Sequence, residues 1–292
     1  MAVAHVPFVG REAQLDALIS AVAAAESGKS TLALVAGEPG IGKTSLVTEV
    51  AARVSALGSA RTLWGTCWQG EGAPAYWPWL QPLRALVAEG DADRVGTARL
   101  TGWEQVDRLL DQAPSSDVSA DARFRLFDSV AELLGARSRT AVLLLVLDDL
   151  HWADEASIRL LQFLTHDVRR RRLAIIGTYR DTDLEPGHPL AGALAELVRE
   201  GHHISLGGLG QPDVAALVGV LGGQGAALTS LVPLLHRLSG GNPLFVRELV
   251  RLFEAEGSLD GLGHSSAVHS SMSTVSMSVG SMSVGSMSVG SM

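Results

Sequence analysis

The residues best suited to chemistry lie between Ala36 and Leu46, where the chain reads Gly37-Glu38-Pro39-Gly40-Ile41-Gly42-Lys43-Thr44-Ser45. Glycines at the first and sixth positions let successive backbone N–H groups turn inward around an anion. A helix beginning at Thr44 adds its partial positive charge to the same point. A lysine there reaches the outer phosphates of a bound triphosphate, and the adjoining hydroxyl ligates a divalent cation. Glu38, Pro39, Gly40, Ile41, Gly42, Lys43, Thr44 and Ser45 are therefore the candidate phosphate-binding residues. Only Lys29 and Lys43 are lysines among the 23 cationic side chains, so Lys43 stands out as a compact point charge in an arginine-rich chain.

A second group ends an aliphatic run, Val142-Leu143-Leu144-Leu145-Val146-Leu147-Asp148-Asp149. Two adjacent carboxylates at the end of a buried strand suit a magnesium nucleotide site. Asp148 is expected to hold the metal together with Thr44, and Asp149 to orient or deprotonate the attacking water. Spacing alone does not divide these jobs between the two. A third run, Ala174–Tyr179, ends in Arg180. In a parallel sheet ligands sit beyond the carboxyl ends of the strands, so Thr178 or Arg180 is expected to face the γ-phosphate. The competing expectation pairs Arg180 with Asp181 or Asp183 at the surface. Lys43, Asp148, Asp149 and Arg180 are thus the candidate catalytic set.

Elements that could hold such a site alternate along the first 207 residues. Strands are expected at Thr31–Ala36, Arg61–Thr66, Val142–Leu147, Leu173–Thr178 and His203–Leu206. Helices are expected at Glu12–Ala25, Thr44–Ala56, Asp121–Ala136, Glu155–His166 and Leu190–Arg199, with Asp121 as an N-cap and Gly58 and Gly201 as stops. The third and fourth strands are near-continuous aliphatic runs, as in a sheet covered on both faces. The fold class read from this is α/β with a parallel sheet. From 208 to 257 no strand is evident, and Gln211–Leu221, Ala226–Leu238 and Pro243–Glu256 read as a small helical domain. From 258 to 292 the chain is of low complexity and ends in SMSVG repeats that hold five of its six methionines. Such a tail buries too little surface to offset its ordering entropy and is expected to be disordered.

Composition narrows the class. The net charge of −8 argues against a chain built to grip nucleic acid, and a single cysteine, Cys67, excludes a disulfide framework. The start lacks a basic segment followed by an apolar one, and the uncharged stretch Val214–His236 is broken by Gly222-Gly223-Gln224-Gly225 and Pro233. Neither a secretory signal nor a membrane span is expected, and the expected location is the cytoplasm.

Taken in order, Phe8-Val9-Gly10-Arg11-Glu12, GEPGIGKT, LLLVLDDLHWAD (Leu143–Asp154), GTYRDT (Gly177–Thr182) and GGNPLFVREL (Gly240–Leu249) resemble the ATPase module of large ATP-binding LuxR-type transcriptional regulators. That module lies within the STAND class of AAA-like P-loop NTPases. The resemblance covers residues 7–257 and implies a five-stranded parallel sheet of order 5-1-4-3-2 followed by a helical lid. It implies ATP and Mg2+ as cofactors, with slow hydrolysis acting as a switch that bridges sheet and lid. By the same likeness Gly10, Arg11 and Glu12 border the adenine, Arg180 senses the γ-phosphate, and Gly241 and Pro243 of the lid pack on base and ribose. His151 and Trp152 receive no chemical role from it beyond packing the loop after the strand.

The helical repeats and helix-turn-helix of such regulators have no counterpart here, so direct DNA binding by this chain is not expected. Arg169–Arg172 reads as a solvated helix end. The expected partners are ATP and ADP, with a second copy of the chain or a regulatory protein left open. Two alternatives to the ATPase stand beside it: a non-catalytic nucleotide-dependent interaction module, and a truncated regulator fragment with residual ATP binding. Trp64, Trp68, Trp77 and Trp79 around Gly70-Glu71-Gly72-Ala73-Pro74 read as a Pro/Gly loop stapled by aromatics, or else as a partner surface. His202-His203 lacks companions at metal-ligand spacing.

Overall fold

A computed structural model describes residues 8–70, 72–93, 103–111, 119–167, 171–183, 191–221 and 230–255. The repeats after 258, the glycines at 222, 223 and 225, and the start before Phe8 lie outside the described residues. The described chain divides into two units, one up to Leu209 and one from Gly210 onward.

In the larger unit five strands make one parallel sheet: β1 (Thr31–Gly37), β2 (Ala60–Thr66), β3 (Val142–Asp148), β4 (Leu173–Tyr179) and β5 (His202–Leu206). Their order is β2-β3-β4-β1-β5, the order implied above read from the other edge. Register fixes which carboxyl ends meet. Leu147 pairs with Gly177, Ala36 with Tyr179, and Gly37 with Leu206. All seven residues of β3 and of β4 are buried, as their unbroken aliphatic sequences require.

Alternate side chains feed two cores. Leu143, Leu145 and Leu147 of β3 point with Leu32 and Leu34 into one, which is completed by α3 (Trp77–Asp93), α4 (Trp103–Asp111), α5 (Ala120–Arg137), α6 (Glu155–Asp167) and α7 (Ala191–Glu200). Val142, Leu144 and Val146 point with Ala33 and Val35 into the other, beneath α1 (Glu12–Ala24) and α2 (Lys43–Ala56). Each fully buried Leu or Val contributes about 1.5–3 kcal/mol. This double coverage fixes the strand ends that carry the polar residues.

The structure departs from the sequence reading in three places. The N-cap of α5 is Ser119, whose hydroxyl accepts the Ala122 N–H at 3.3 Å, while Asp121 sits in the first turn. Helix α4 was not expected at all. Nor was α3, which begins at Trp77 inside the segment read as a Pro/Gly loop and carries Pro82 within it. Proline at 82 has no N–H for the Pro78 carbonyl. That carbonyl instead lies against Gly65 of β2, where a Cβ would approach it to 1.8 Å. Burial of Trp79, Leu80, Leu83 and Leu86 outweighs the poor helix propensity.

The second unit is helical among its described residues: α8 (Gln211–Val220), α9 (Val232–Ser239) and α10 (Pro243–Ala255). Its core is built from Val214, Leu217, Val218, Leu235, Val246 and Val250. No helix among the described residues is long and apolar enough to cross a membrane.

Candidate phosphate-binding site

The turn from β1 into α2 is built for a concave backbone. Gly37, Gly40 and Gly42 have φ of 151°, 73° and 101°, values that side-chain-bearing residues rarely adopt. Gly37 is further constrained by space, because a Cβ there would lie 2.8 Å from the Leu206 carbonyl oxygen. Glu38, Pro39 and Gly40 form the exposed rim, Ile41 is buried beneath them, and Thr44 and Ser45 open the helix facing solvent. Lys43 is buried, and its Nζ donates to the Gly37 carbonyl at 2.7 Å and to the Glu38 carbonyl at 3.0 Å. The ammonium thus sits in the mouth of its own loop. Burial lowers its pKa from the ordinary lysine value, with Arg180 acting in the same direction and Asp149, Asp181 and Asp148 opposing.

The carboxylates of the third strand converge on this point from 104 residues away. The Thr44 hydroxyl donates to the Asp148 Oδ2 and Oδ1 atoms at 3.1 and 3.3 Å. Thr178, fully buried at the end of β4, donates to Asp148 Oδ1 at 2.5 Å and accepts the Asp149 N–H at 2.9 Å. Sheet order explains this geometry, since β4 lies between β3 and β1 and its terminal hydroxyl spans the gap. Asp149 follows in the left-handed region, at φ 60° and ψ 47°, which turns its side chain away from the strand. Burial and the neighbouring Asp148 charge raise its pKa above the usual carboxylate value, while Arg180 and Lys43 pull it back down.

Arg180 leaves β4 toward the same end, and its Nη1 lies 3.5 Å from Asp183 Oδ2. The surface pairing offered above as the competing expectation is present in this structure. Its positive charge lowers the pKa of both Lys43 and Asp149.

At the opening motif Gly10 and Arg11 both take left-handed conformations, with φ of 72° and 65°. The Arg11 guanidinium donates to the Ile41 carbonyl at 2.6 Å and to the Gly207 carbonyl at 2.9 Å, bracing the phosphate loop against the end of β5. Glu12 faces Arg53 at 3.8 Å. Gly241 and Pro243 belong to the helical unit, where Gly241 has φ 75° and Pro243 opens α10.

Asp154 and His151 make contacts that the sequence reading did not assign. Asp154 accepts the Ser157 N–H and hydroxyl at 2.9 and 2.5 Å, capping α6, and also the Tyr76 N–H at 3.2 Å. The Trp79 indole N–H then reaches the Ser157 carbonyl at 3.2 Å. The HWAD stretch therefore ties the tryptophan-rich segment to the strand that ends in Asp148, and the Cys67 N–H donates to the Asp148 carbonyl at 3.0 Å. Asp183 meets Arg180, and His151 lies between Asp183 and Asp149. The signal for Asp154 was its place three residues before Ser157 at a helix start. His203, by contrast, meets the Tyr179 hydroxyl at 3.0 Å. Among the described residues no group of three or more His, Cys, Asp or Glu side chains could hold a metal.

Comparison with known proteins agrees with this architecture. The AAA ATPase domain family matches residues 7–176. No curated protein matches the chain. Among solved structures, the ORC2 protein of Aeropyrum pernix, determined as ADPNP-ADP complexes, is 14% identical with a TM-score of 0.56, over 87% of this chain and 66% of that one. A STAND protein with a tetratricopeptide repeat sensor from Pyrococcus horikoshii is 18% identical with a TM-score of 0.48, over 82% and 29%. A RuvB variant of Thermotoga maritima is 16% identical with a TM-score of 0.45, over 84% and 61%. The chain spans less than two thirds of the length of each of these proteins. At such identities the ORC2 likeness speaks for the fold alone. With a parallel sheet of order 2-3-4-1-5, a glycine-turned loop between β1 and α2, and a family match over more than half of its residues, the chain belongs to the AAA ATPase domain family of P-loop NTPases, whose fold implies nucleotide binding.

Proposed function

We propose that this chain binds Mg-ATP and hydrolyses it slowly, acting as a nucleotide-controlled conformational switch of the kind found in ATP-binding LuxR-type regulators. The observation that carries the reading is the Thr44–Asp148 contact at 3.1 Å, which brings a helix-start hydroxyl and a strand-end carboxylate together beside the Lys43 ammonium.

Hard oxygen donors at that point fit magnesium, which takes one or two protein oxygens and draws its remaining ligands from phosphate and water. Thr44 and Asp148 would hold it, and it would supply charge neutralisation between the outer phosphates. Lys43 exchanges its two carbonyl acceptors for phosphate oxygens, a gain of opposite charge for a buried cation. The backbone N–H groups of Gly40–Thr44 orient the same phosphates, with Glu38, Pro39, Ile41 and Ser45 shaping the rim. Asp149, raised in pKa and turned off the strand, orients the attacking water and takes its proton. Arg180 turns from Asp183 to the γ-phosphate and loses that partner on hydrolysis, which gives the switch its two states. On the resemblance, Gly10 and Arg11 serve the adenine end, and Gly241 and Pro243 the base and ribose.

A titration with ATP, ADP and GTP, with and without magnesium, tests the reading. Magnesium-dependent ATP binding that Lys43→Ala abolishes is expected, and unchanged affinity in that variant rejects the site. Single-turnover phosphate release separates an ATPase from a binding-only module, which would release none.

A further inference from the structure

Gly177 lies inside the covered sheet, paired with Leu34 of β1 on one side and Leu147 of β3 on the other. Every other residue of β4 carries a side chain, so this position leaves a gap in an aliphatic surface. The gap is filled from outside the strand. A Cβ at 177 would lie 2.5 Å from the Leu150 Cδ1 atom and 2.8 Å from the Leu34 Cδ2 atom. Leu150, which follows β3, therefore reaches across to sit on β4, and both leucine side chains are buried. A glycine inside a strand weakens it and marks a point where another group approaches closely. Here that group is Leu150.

What Leu150 holds is its neighbour. Asp149 takes φ 60° and ψ 47°, a conformation that a residue with a side chain keeps only where its surroundings impose it. Adjacent residues of β4 impose it at two points. The Thr178 hydroxyl accepts the Asp149 N–H at 2.9 Å, and Gly177 receives the Leu150 side chain. One hydrogen bond alone leaves the backbone free to pivot about it; the seat on the next residue removes that freedom. Beyond the seat the chain closes a single 3-10 turn, with the Trp152 N–H donating to the Asp149 carbonyl at 2.9 Å. The Asp149 side chain stays 33% exposed, so its carboxylate can meet water while its backbone is held.

We propose that Leu150 is a positioning residue for hydrolysis: seated in the gap at Gly177, it holds Asp149 in the left-handed turn that aims its carboxylate at the attacking water. This rests on the reading above, in which Asp149 orients that water. The seat acts on the chemical step and not on nucleotide affinity, because Lys43, Thr44 and Asp148 are fixed by contacts of their own.

The test is a size swap on the full chain, read by single-turnover phosphate release and by Mg-ATP titration. Gly177→Ala puts a methyl group where the Leu150 Cδ1 atom lies, and a close-packed interior gives the leucine no empty space to enter. The rate constant is expected to fall about 10- to 100-fold, the cost of a misplacement near 1 Å, with Mg-ATP affinity held within about twofold. Leu150→Val removes that Cδ1 atom and leaves Cγ, 3.6 Å from the new methyl, as an ordinary contact. Gly177→Ala with Leu150→Val should therefore recover most of the rate. Gly177→Ala with Leu34→Val relieves only the 2.8 Å contact and should not. Equal recovery by both pairs would mean general crowding of the core, and it overturns the proposal. So does a wild-type rate in Gly177→Ala, or a swap that restores Tm and leaves the rate low. If Gly177→Ala fails to fold by circular dichroism, Leu150→Ala, which adds no atoms, carries the test: a slowed rate at kept affinity supports the seat, and an unchanged rate overturns it. Asp149→Asn measured alongside separates the two readings. Wild-type turnover in that variant removes the role of Asp149 and the seat together, whereas lost turnover there with unaffected seat variants overturns the seat alone.

Discussion

Thr178 is joined to Asp148 by a 2.5 Å hydrogen bond that neither residue shares with solvent, since the threonine is fully buried and the aspartate nearly so. The same oxygen accepts the Asp149 N–H, so one hydroxyl on β4 sets both the carboxylate of the first aspartate and the backbone of the second. Thr178→Val keeps the volume and removes the hydroxyl. Loss of a buried hydrogen bond to a charged acceptor costs about 1.5–3 kcal/mol, which lowers Tm by roughly 3–12 °C in a domain of this size. Magnesium-dependent nucleotide affinity should drop as well. Thermal melting and calorimetry check both; a Tm within a degree of wild type shows that the hydroxyl is not needed to hold Asp148.

Gly65 of β2 faces the Pro78 carbonyl that Pro82 leaves without a helical donor. A methyl group there would stand 1.8 Å from that oxygen and 2.9 Å from its carbonyl carbon, and backbone cannot yield as a flexible side chain would. Gly65→Ala should separate α3 from the sheet and expose Trp79. Near-native Tm together with an unshifted tryptophan emission would contradict the packing described.

How much of this was legible beforehand depends on how local each signal was. All five strands stand within a residue of their expected limits, because aliphatic runs such as Val142–Leu147 admit no other element in a covered sheet. Lys43, Thr44 and Asp148 announce themselves by neighbours in sequence. Helix α3 hid behind Pro78 and Pro82, whose usual meaning as loop punctuation is overridden here by the burial of Trp79 and Leu83. Asp183 was legible as a partner of Arg180, three residues before it, but gave no local sign of meeting His151, which lies after a different strand. Likeness places Arg11 beside the adenine, whereas in the folded chain its guanidinium lies on two backbone carbonyls.

Asp149 links activity to stability through its raised pKa. A group whose folded pKa exceeds its unfolded value contributes stability in acid, and that contribution is lost as pH rises through the folded pKa. At neutral pH the ionised carboxylate therefore costs stability, chiefly through burial and the charge of Asp148. Asp149→Asn should raise the Tm of the nucleotide-free protein at pH 7, with the gain fading as pH falls into the carboxylate range. Turnover should fall about 100-fold or more, the usual worth of a general base, with nucleotide affinity retained. A variant that melts lower than wild type at pH 7 would show that Asp149 makes structural contacts outweighing its burial.

The position of Arg11 separates two roles by experiment. If its guanidinium acts through the loop, by holding the Ile41 carbonyl at 2.6 Å and the Gly207 carbonyl at 2.9 Å, then Arg11→Ala loosens the phosphate cradle whatever base is attached. Affinities for ATP, GTP and inorganic tripolyphosphate should then fall by the same factor. Two hydrogen bonds from a cationic donor, worth about 1.5–3 kcal/mol each before relaxation, make a loss of tenfold or more the expected size. Arg11→Lys should restore part of it, because both bonds leave one nitrogen, Nη2, and an ammonium reaching that point has donors enough for two carbonyls. An adenine contact would instead weaken ATP and leave tripolyphosphate binding as it was. Calorimetric titration of the three ligands against wild type and both variants decides between the loop brace and the base contact.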